Sequence, residues 1–125
     1  MTINDLFAII KSVILKNYVN FKGRATRAEF WWFFLFNFIV GLFLSVLGKA
    51  GTTLQTIWSI AVMLPQLGLG VRRLHDINKS GWLMALSLIP VVGWVILIIW
   101  WAKIGDMTEN QYGPVPQTPT AETVN

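Results

Sequence analysis

Residues 80–102 read SGWLMALSLIPVVGWVILIIWWA, 23 consecutive positions without a charge, closed by Lys103. As a helix, a run of that length spans the roughly 30 Å of bilayer hydrocarbon once and is too short to span it twice. Pro90 and Gly93 sit inside it, where they either kink one spanning helix or break the run into a re-entrant hairpin. Length favours a single crossing, and that is the expectation.

Two further uncharged runs lie upstream. Phe30–Gly48 (FWWFFLFNFIVGLFLSVLG) is 19 residues, about 28 Å of helix. Lys49 closes it, leaving a short first loop, Lys49 to Thr53. Residues 50–71 are again uncharged, most apolar over Leu54–Val71, with Arg72 and Arg73 at the end. Pro65 predicts a kink near Ala61–Leu64, because it cannot donate a helical hydrogen bond. Before the first run, Ile3, Leu6, Phe7, Ile10, Val13, Ile14, Tyr18 and Phe21 recur at spacings of three and four, with Lys11 and Lys16 on the other side. That is an amphipathic helix suited to the membrane interface, or to packing its apolar face on the other helices. No small-residue cleavage site precedes the first run, so the segment reads as retained. Beyond Lys103 the chain turns polar and proline-containing, and its last ten residues or so read as disordered. The fold class is therefore an all-α membrane protein. An amphipathic interfacial helix occupies 1–22 and a three-helix transmembrane domain 23–103, with helices near 30–48, 54–71 and 80–102. A polar, partly disordered tail covers 104–125.

Composition agrees. Hydrophobic residues make up 54% of the 125 and charged residues 13%, and mean hydropathy is +0.57. Soluble domains carry about a quarter charged residues, so much of this surface faces something other than water. The net charge of +4 does not point to nucleic acid, because the basic residues flank apolar runs instead of forming one face. The chain has no cysteine and one histidine, which excludes thiol chemistry. No metal or cofactor is expected.

Lys and Arg resist translocation, so their distribution sets orientation. With three crossings, the N-terminal region and the second loop share a side that holds Lys11, Lys16, Lys22, Arg24, Arg27, Arg72, Arg73 and Lys79. The other side holds only Lys49 and Lys103. The N-terminus is expected in the cytoplasm and the C-terminus outside. Trp31, Trp32 and Trp82 would mark the inner interface, Trp58, Trp100 and Trp101 the outer one, and Trp94 would lie deep.

Inside lipid, small and polar residues join helices. Asn37, Gly41 and Ser45 form one stripe on the first segment; Ser59, Met63, Gln66 and Gly70 follow helical spacing on the second. The stripes are expected to face each other, with Asn37 and Gln66 hydrogen-bonded. The alternative, a solute path, lacks a mid-membrane ionisable residue.

Two charged clusters, Gly23-Arg24-Ala25-Thr26-Arg27-Ala28-Glu29 and Arg72-Arg73-Leu74-His75-Asp76, close the apolar runs on the basic side. Glu29 is placed to pair with Arg72 or Arg73, which would fix helix register more than it adds stability. A sharper reading makes Arg24, Arg27, Arg72 and Arg73 an anion clamp, with His75 and Asp76 beside it. Asn110-Gln111-Tyr112-Gly113-Pro114 reads as a turn. If Pro90 and Gly93 make a hairpin, that turn returns to the basic clusters.

The strings FKGRATRAEFWW, RRLHD, SGW, IPVVGW and NQYGPVP, in this order from about Tyr18 to Pro116, resemble the YhaH-like bacterial inner-membrane family (domain of unknown function 805). The resemblance implies a small multi-pass protein of the bacterial cytoplasmic membrane and carries no activity, substrate or cofactor. The expected role is a non-enzymatic module that binds anionic lipid, a partner membrane protein or a second copy of itself through Arg24, Arg27, Arg72, Arg73, His75 and Asp76. The alternative is a transporter or channel component working as an oligomer.

Overall fold

A computed structural model describes residues 2–121. Among them the elements are helical, apart from one isolated bridge between Asn110 and Gly113. Helix α1 (Ile3–Lys11) starts at a capping box: Thr2 accepts from the Asp5 amide and Asp5 accepts from the Thr2 amide, both at 3.2 Å. It runs on through one wider turn, Ser12–Lys16, which ends where the Asn17 side chain donates to the Ser12 carbonyl at 3.0 Å. Thr26 caps α2 (Arg27–Ser45) by accepting from the Glu29 amide. A tight turn leads into α3 (Gly48–Asp76), opened by Gly48 at φ 67°.

Helix α3 is longer at both ends than the apolar run that announced it. Lys49 and Thr52–Thr53, expected as a loop, are helical, and so are Arg72–Asp76. Gly51 explains the sharpness of the turn, because a Cβ there would collide with the Leu44 carbonyl. At 29 residues, about 43 Å, α3 exceeds the hydrocarbon thickness, so its polar ends reach the headgroup levels. It also runs unbroken through Pro65. The carbonyl that Pro65 cannot serve, Ala61 O, accepts a 2.7 Å hydrogen bond from the Tyr18 hydroxyl.

The core lies towards the Arg72 end. Ile9 and Val13 pack there with Ala25, Phe30, Phe33 and Leu69. The inward face of the N-terminal helix thus packs on the protein, while Ile3, Phe7 and Leu15 on its other side stay exposed. Along α2 and α3, Phe34, Phe38, Phe43, Ile57 and Ile60 are all 48% exposed or more. A soluble protein does not leave such a ring of large apolar side chains in water. Two long apolar helices and a shorter third are the framework of a membrane protein.

The 80–102 segment departs most from expectation. It is not one helix. A 3₁₀ limb (Gly81–Leu88), capped by Ser80, runs to a turn at Ile89–Val91, and α4 (Val92–Ala102) runs back. The turn satisfies its own backbone: the Val92 amide donates to Pro90 O (2.7 Å) and the Gly93 amide to Ile89 O (3.1 Å). Trp94 bonds the opposite limb at Ser87 O (2.8 Å). Val91 holds φ 64°, a strained choice for a β-branched residue, fixed by Pro90 before it and these bonds around it. The limbs are each about 16 Å long, eight residues of 3₁₀ helix and eleven of α-helix, half a bilayer's hydrocarbon.

Both ends of the segment therefore meet the Arg72 end of α3. The Lys79 ammonium lies 4.8 Å above the Trp100 ring, and Trp101 donates to Gly70 O (3.3 Å) while its carbonyl accepts from Trp31 (3.2 Å). Trp101 lies beside Trp31, not opposite it, Trp100 lies beside Lys79, and the Lys103 carbonyl is held by Arg73. Trp94 sits near the hairpin's turn. The tail is ordered as far as it is described: Thr26 bonds Thr118 (2.8 Å), and the Ala121 amide bonds Asp5 (3.1 Å). That amide, and then the Thr2 amide, hold the Asp5 carboxyl below its ordinary range. Residues 122–125 of the expected disordered stretch lie outside the described residues.

Two substitutions test this geometry. Gly93→Ala would drive a methyl into the Leu86 carbonyl of the facing limb and should cost about 1–3 kcal/mol, read as a lower melting temperature in detergent. Tyr18→Phe, which strips the Ala61 carbonyl of its donor, should cost about 1 kcal/mol in the same assay.

Candidate functional site: a buried arginine and carboxylate cluster

The last turn of α3 points Arg73 and Asp76 to one side, three residues apart, and the connector before α2 brings Arg24 to the same place. Asp76 accepts from both: Arg24 Nε reaches Oδ1 at 2.9 Å, and Arg73 Nη1 reaches Oδ2 at 2.6 Å. Side-chain exposures are 1% for Arg24, 0% for Arg73 and 6% for Asp76.

The remaining donors go to backbone carbonyls. Arg24 Nη1 donates to Thr108 O (2.9 Å) and Gly113 O (3.1 Å), and Nη2 to Asp76 O and Asp106 O. All five of its N–H groups are thereby used. Arg73 Nε donates to Trp101 O (3.0 Å), Nη1 also to Ala25 O, and Nη2 to Lys103 O. One guanidinium thus holds the polar tail and the other holds the end of the hairpin. Lys cannot replace either, because a single ammonium lacks the flat fork these separated acceptors require.

A second pair lies beside the first. Glu29 meets Arg72 at 3.5 Å, with both side chains 5% exposed or less. Arg72 Nε and Nη2 are enclosed without an acceptor. Of the two partners open to Glu29, the structure selects Arg72; Arg73 belongs to Asp76. His75 Nδ1 faces Gly23 O at 2.8 Å, and its ring stacks on Tyr112 at 3.9 Å with planes 5° apart. His75 and Asp76 point to different partners and do not form an acid–base pair. Of the six residues expected to bind lipid or a partner, only Arg27 is exposed, and it donates to Ala102 O (3.2 Å). The buried arginines present no open fork to an outside anion.

Deeper in the helices, Asn37 Nδ2 donates to Gln66 Oε1 at 3.2 Å, and Trp58 Nε1 donates to Asn37 Oδ1 at 2.9 Å. Gly41 lies beside Gln55, and Gln55 donates to Ser59 (3.3 Å). Gly70 meets Met84 and Trp101 of the hairpin. Ser45 turns back onto Leu42 O and joins no neighbouring helix through that hydroxyl.

Sequence reasoning missed the other half of the cluster, because it consists of the carbonyls of Trp101, Lys103, Asp106, Thr108 and Gly113. A backbone acceptor has no residue signature. Gly105 was a readable clue: a Cβ there would collide with the Asp76 carboxylate.

The span of chain that carries this cluster has relatives. The family model described as "Protein of unknown function (DUF805)" matches residues 18–114. The chain belongs to the DUF805 family. It is 45% identical to inner membrane protein YhaH of Escherichia coli K12 over 112 residues, covering 83% of this chain and 93% of that one. It is 41% identical to inner membrane protein YhaI of the same strain over 108 residues (83% and 92%). YiiR, uncharacterised, is 33% identical over 86 residues (66% and 57%). No solved structure matches. This DUF805 chain is a protein of the bacterial inner membrane. The matched span begins at Tyr18, which donates to Ala61 O in the middle of α3, and ends just after Gly113, which Arg24 holds.

In this DUF805 chain, Asp76→Asn leaves two buried guanidiniums without a counter-charge. It should cost about 3–5 kcal/mol and release the tail, detected as a lower melting temperature together with new protease cleavage between residues 104 and 121.

Proposed function

We propose that the chain is a non-enzymatic inner-membrane module that docks a transmembrane helix of a partner. In this reading it crosses the bilayer twice, with α2 and α3, and sends the 81–102 hairpin into the cytoplasmic half only. Both termini then share the cytoplasmic side with nine of the ten Lys and Arg residues, leaving Lys49 alone outside. That is a stronger bias than three crossings give.

One observation carries the docking role. Because the hairpin stops halfway, the outer part of the α2–α3 face is uncovered, and a groove of about 530 Å³ opens there. Asn37, Trp58, Ser59 and Gln66 line it, with Met84 and Trp101 of the hairpin at one end. Polar groups facing hydrocarbon are costly, and another helix presenting donors and acceptors relieves that cost. None of the groove's lining residues is ionisable, which favours docking over an ion or proton path. The arginine cluster supports the module from within, since Arg24 and Arg73 spend their donors on Asp76 and on main-chain carbonyls.

The topology predicts a fluorescent, phosphatase-negative fusion after Ala121 and a phosphatase-positive insertion at Val46–Leu47. An active phosphatase after Ala121 would overturn the half-depth hairpin. For docking, the absence of native cysteine allows single-site cross-linking in membranes. Met63→Cys, on the groove, should give one adduct of defined mass, whether with a second copy or another protein, and Ile39→Cys, outside it, should give none. Monomer alone from Met63→Cys would sink the docking reading.

A further inference from the structure

Trp58 fixes how the two amides of the α2–α3 groove point. An indole N–H can only donate, so the atom of Asn37 that receives it at 2.9 Å is the oxygen, Oδ1. Asn37 Nδ2 is thereby turned the other way, where it donates to Phe33 O (3.1 Å) and to the Gln66 side chain (3.2 Å). The Gln66 atom that accepts from it must in turn be the oxygen, Oε1. That leaves Gln66 Nε2 at the outer end of the run, and among the described residues nothing accepts either of its hydrogens. Gln66 is half-buried and lines the groove, so these two N–H groups are within reach of whatever occupies it.

The depth of that amide decides the occupant. Gln66 lies six residues before Arg72, about 9 Å along the helix, below the headgroup level that the Arg72 end reaches. Acyl chains offer no acceptor there and water is excluded, so the open N–H groups are costly until a neighbouring helix brings an oxygen to the same depth. Another Gln66 can supply one, because Oε1 has two lone pairs and the Asn37 bond uses one. Copies of one chain enter the membrane the same way up. A two-fold axis relating them therefore runs along the membrane normal and sets each residue opposite itself at equal depth. A second copy presents its acceptor at the level of the open donor; any other protein must match that level independently.

We infer that the α2–α3 groove docks a second copy of this chain, and that the two Gln66 amides pair across the axis, Nε2 of each donating to Oε1 of the other. The inference rests on the reading of this groove as a helix-docking face and names its partner. Met63, 60% exposed and about one turn from Gln66 on the same face of α3, flanks the pair. Each chain alone holds the run from Trp58 through Asn37 to Gln66 open at one end, and the dimer closes it.

The test follows energy transfer between copies of the full chain in lipid bicelles, labelled through Ala121→Cys, as added lipid dilutes them. The chain with Gln66 intact should dimerise. Gln66→Met, which keeps the length of the side chain and removes its amide, should weaken association about tenfold, because two interhelical hydrogen bonds are lost. Gln66→Asn, one methylene too short to reach both Asn37 and the axis, should give a smaller loss and covers the case in which the Met variant does not fold. Ile39→Val, outside the groove, should leave association unchanged. No transfer with Gln66 intact overturns the inference. So does a folded Gln66→Met or Gln66→Asn variant that associates as tightly as the intact chain, and in that case the docking reading still stands. A Met63→Cys adduct in membranes whose mass is not twice that of the chain has the same effect, since the partner is then another protein. Met63→Cys that stays monomeric removes both readings together.

Discussion

Everything at the Arg72 end of α3 hangs on Asp76 accepting two arginines at once. Arg24 and Arg73 come from different parts of the chain, and two buried positive charges repel unless something negative lies between them. The carboxylate supplies that charge and spreads the two forks apart. Their remaining N–H groups then capture carbonyls from the hairpin's end and from the tail. Three segments distant in sequence are thereby fastened at one point: the connector before α2, the last turn of α3, and residues 101–113. The arrangement gives position more than stability. An apolar cluster of the same volume would hold the parts as firmly, but it would not specify which carbonyl sits against which nitrogen.

The hairpin is what that fastening secures. A 23-residue apolar segment in a bilayer normally crosses, because crossing satisfies its backbone and buries its side chains in lipid. Here the segment returns, and each departure from regular helix has a local remedy. The 3₁₀ limb bonds itself, the Pro90 turn bonds itself, and Gly93 lets the limbs touch. What keeps α4 from continuing outward is the hold of Arg73 on the carbonyls of Trp101 and Lys103, with Trp31 sharing the first. The return of the chain at Ile89–Val91 leaves a groove open along the α2–α3 face.

Polar groups divide by depth. The buried charges, Arg24, Arg72, Arg73, Glu29 and Asp76, pair with one another around the last turn of α3. In the hydrocarbon, only neutral groups occur, and Asn37 collects a bond to Gln66 and one from Trp58. Tyr18 extends the same economy by giving the Ala61 carbonyl, orphaned by Pro65, a hydroxyl donor. That bond satisfies the carbonyl freed by the proline inside α3, and it ties the N-terminal region to mid-helix.

Hydropathy alone determined that this chain enters a bilayer, where α2 and α3 lie and which end is basic, because transfer free energy is additive along the chain and needs no fold. Helical spacing likewise placed Asn37 and Gln66 on facing stripes. The course of 80–102 was open: Pro90 and Gly93 marked a break, but whether the chain goes on or turns back depends on what holds Trp101 and Lys103, and that is a side chain nearly thirty residues earlier. The arginines were legible as a site and misleading as an anion clamp, since their acceptors are the Asp76 and Glu29 carboxylates and main-chain oxygens brought together only by the tertiary structure. Burial decides whether a guanidinium is available or spent, and burial belongs to the assembled fold.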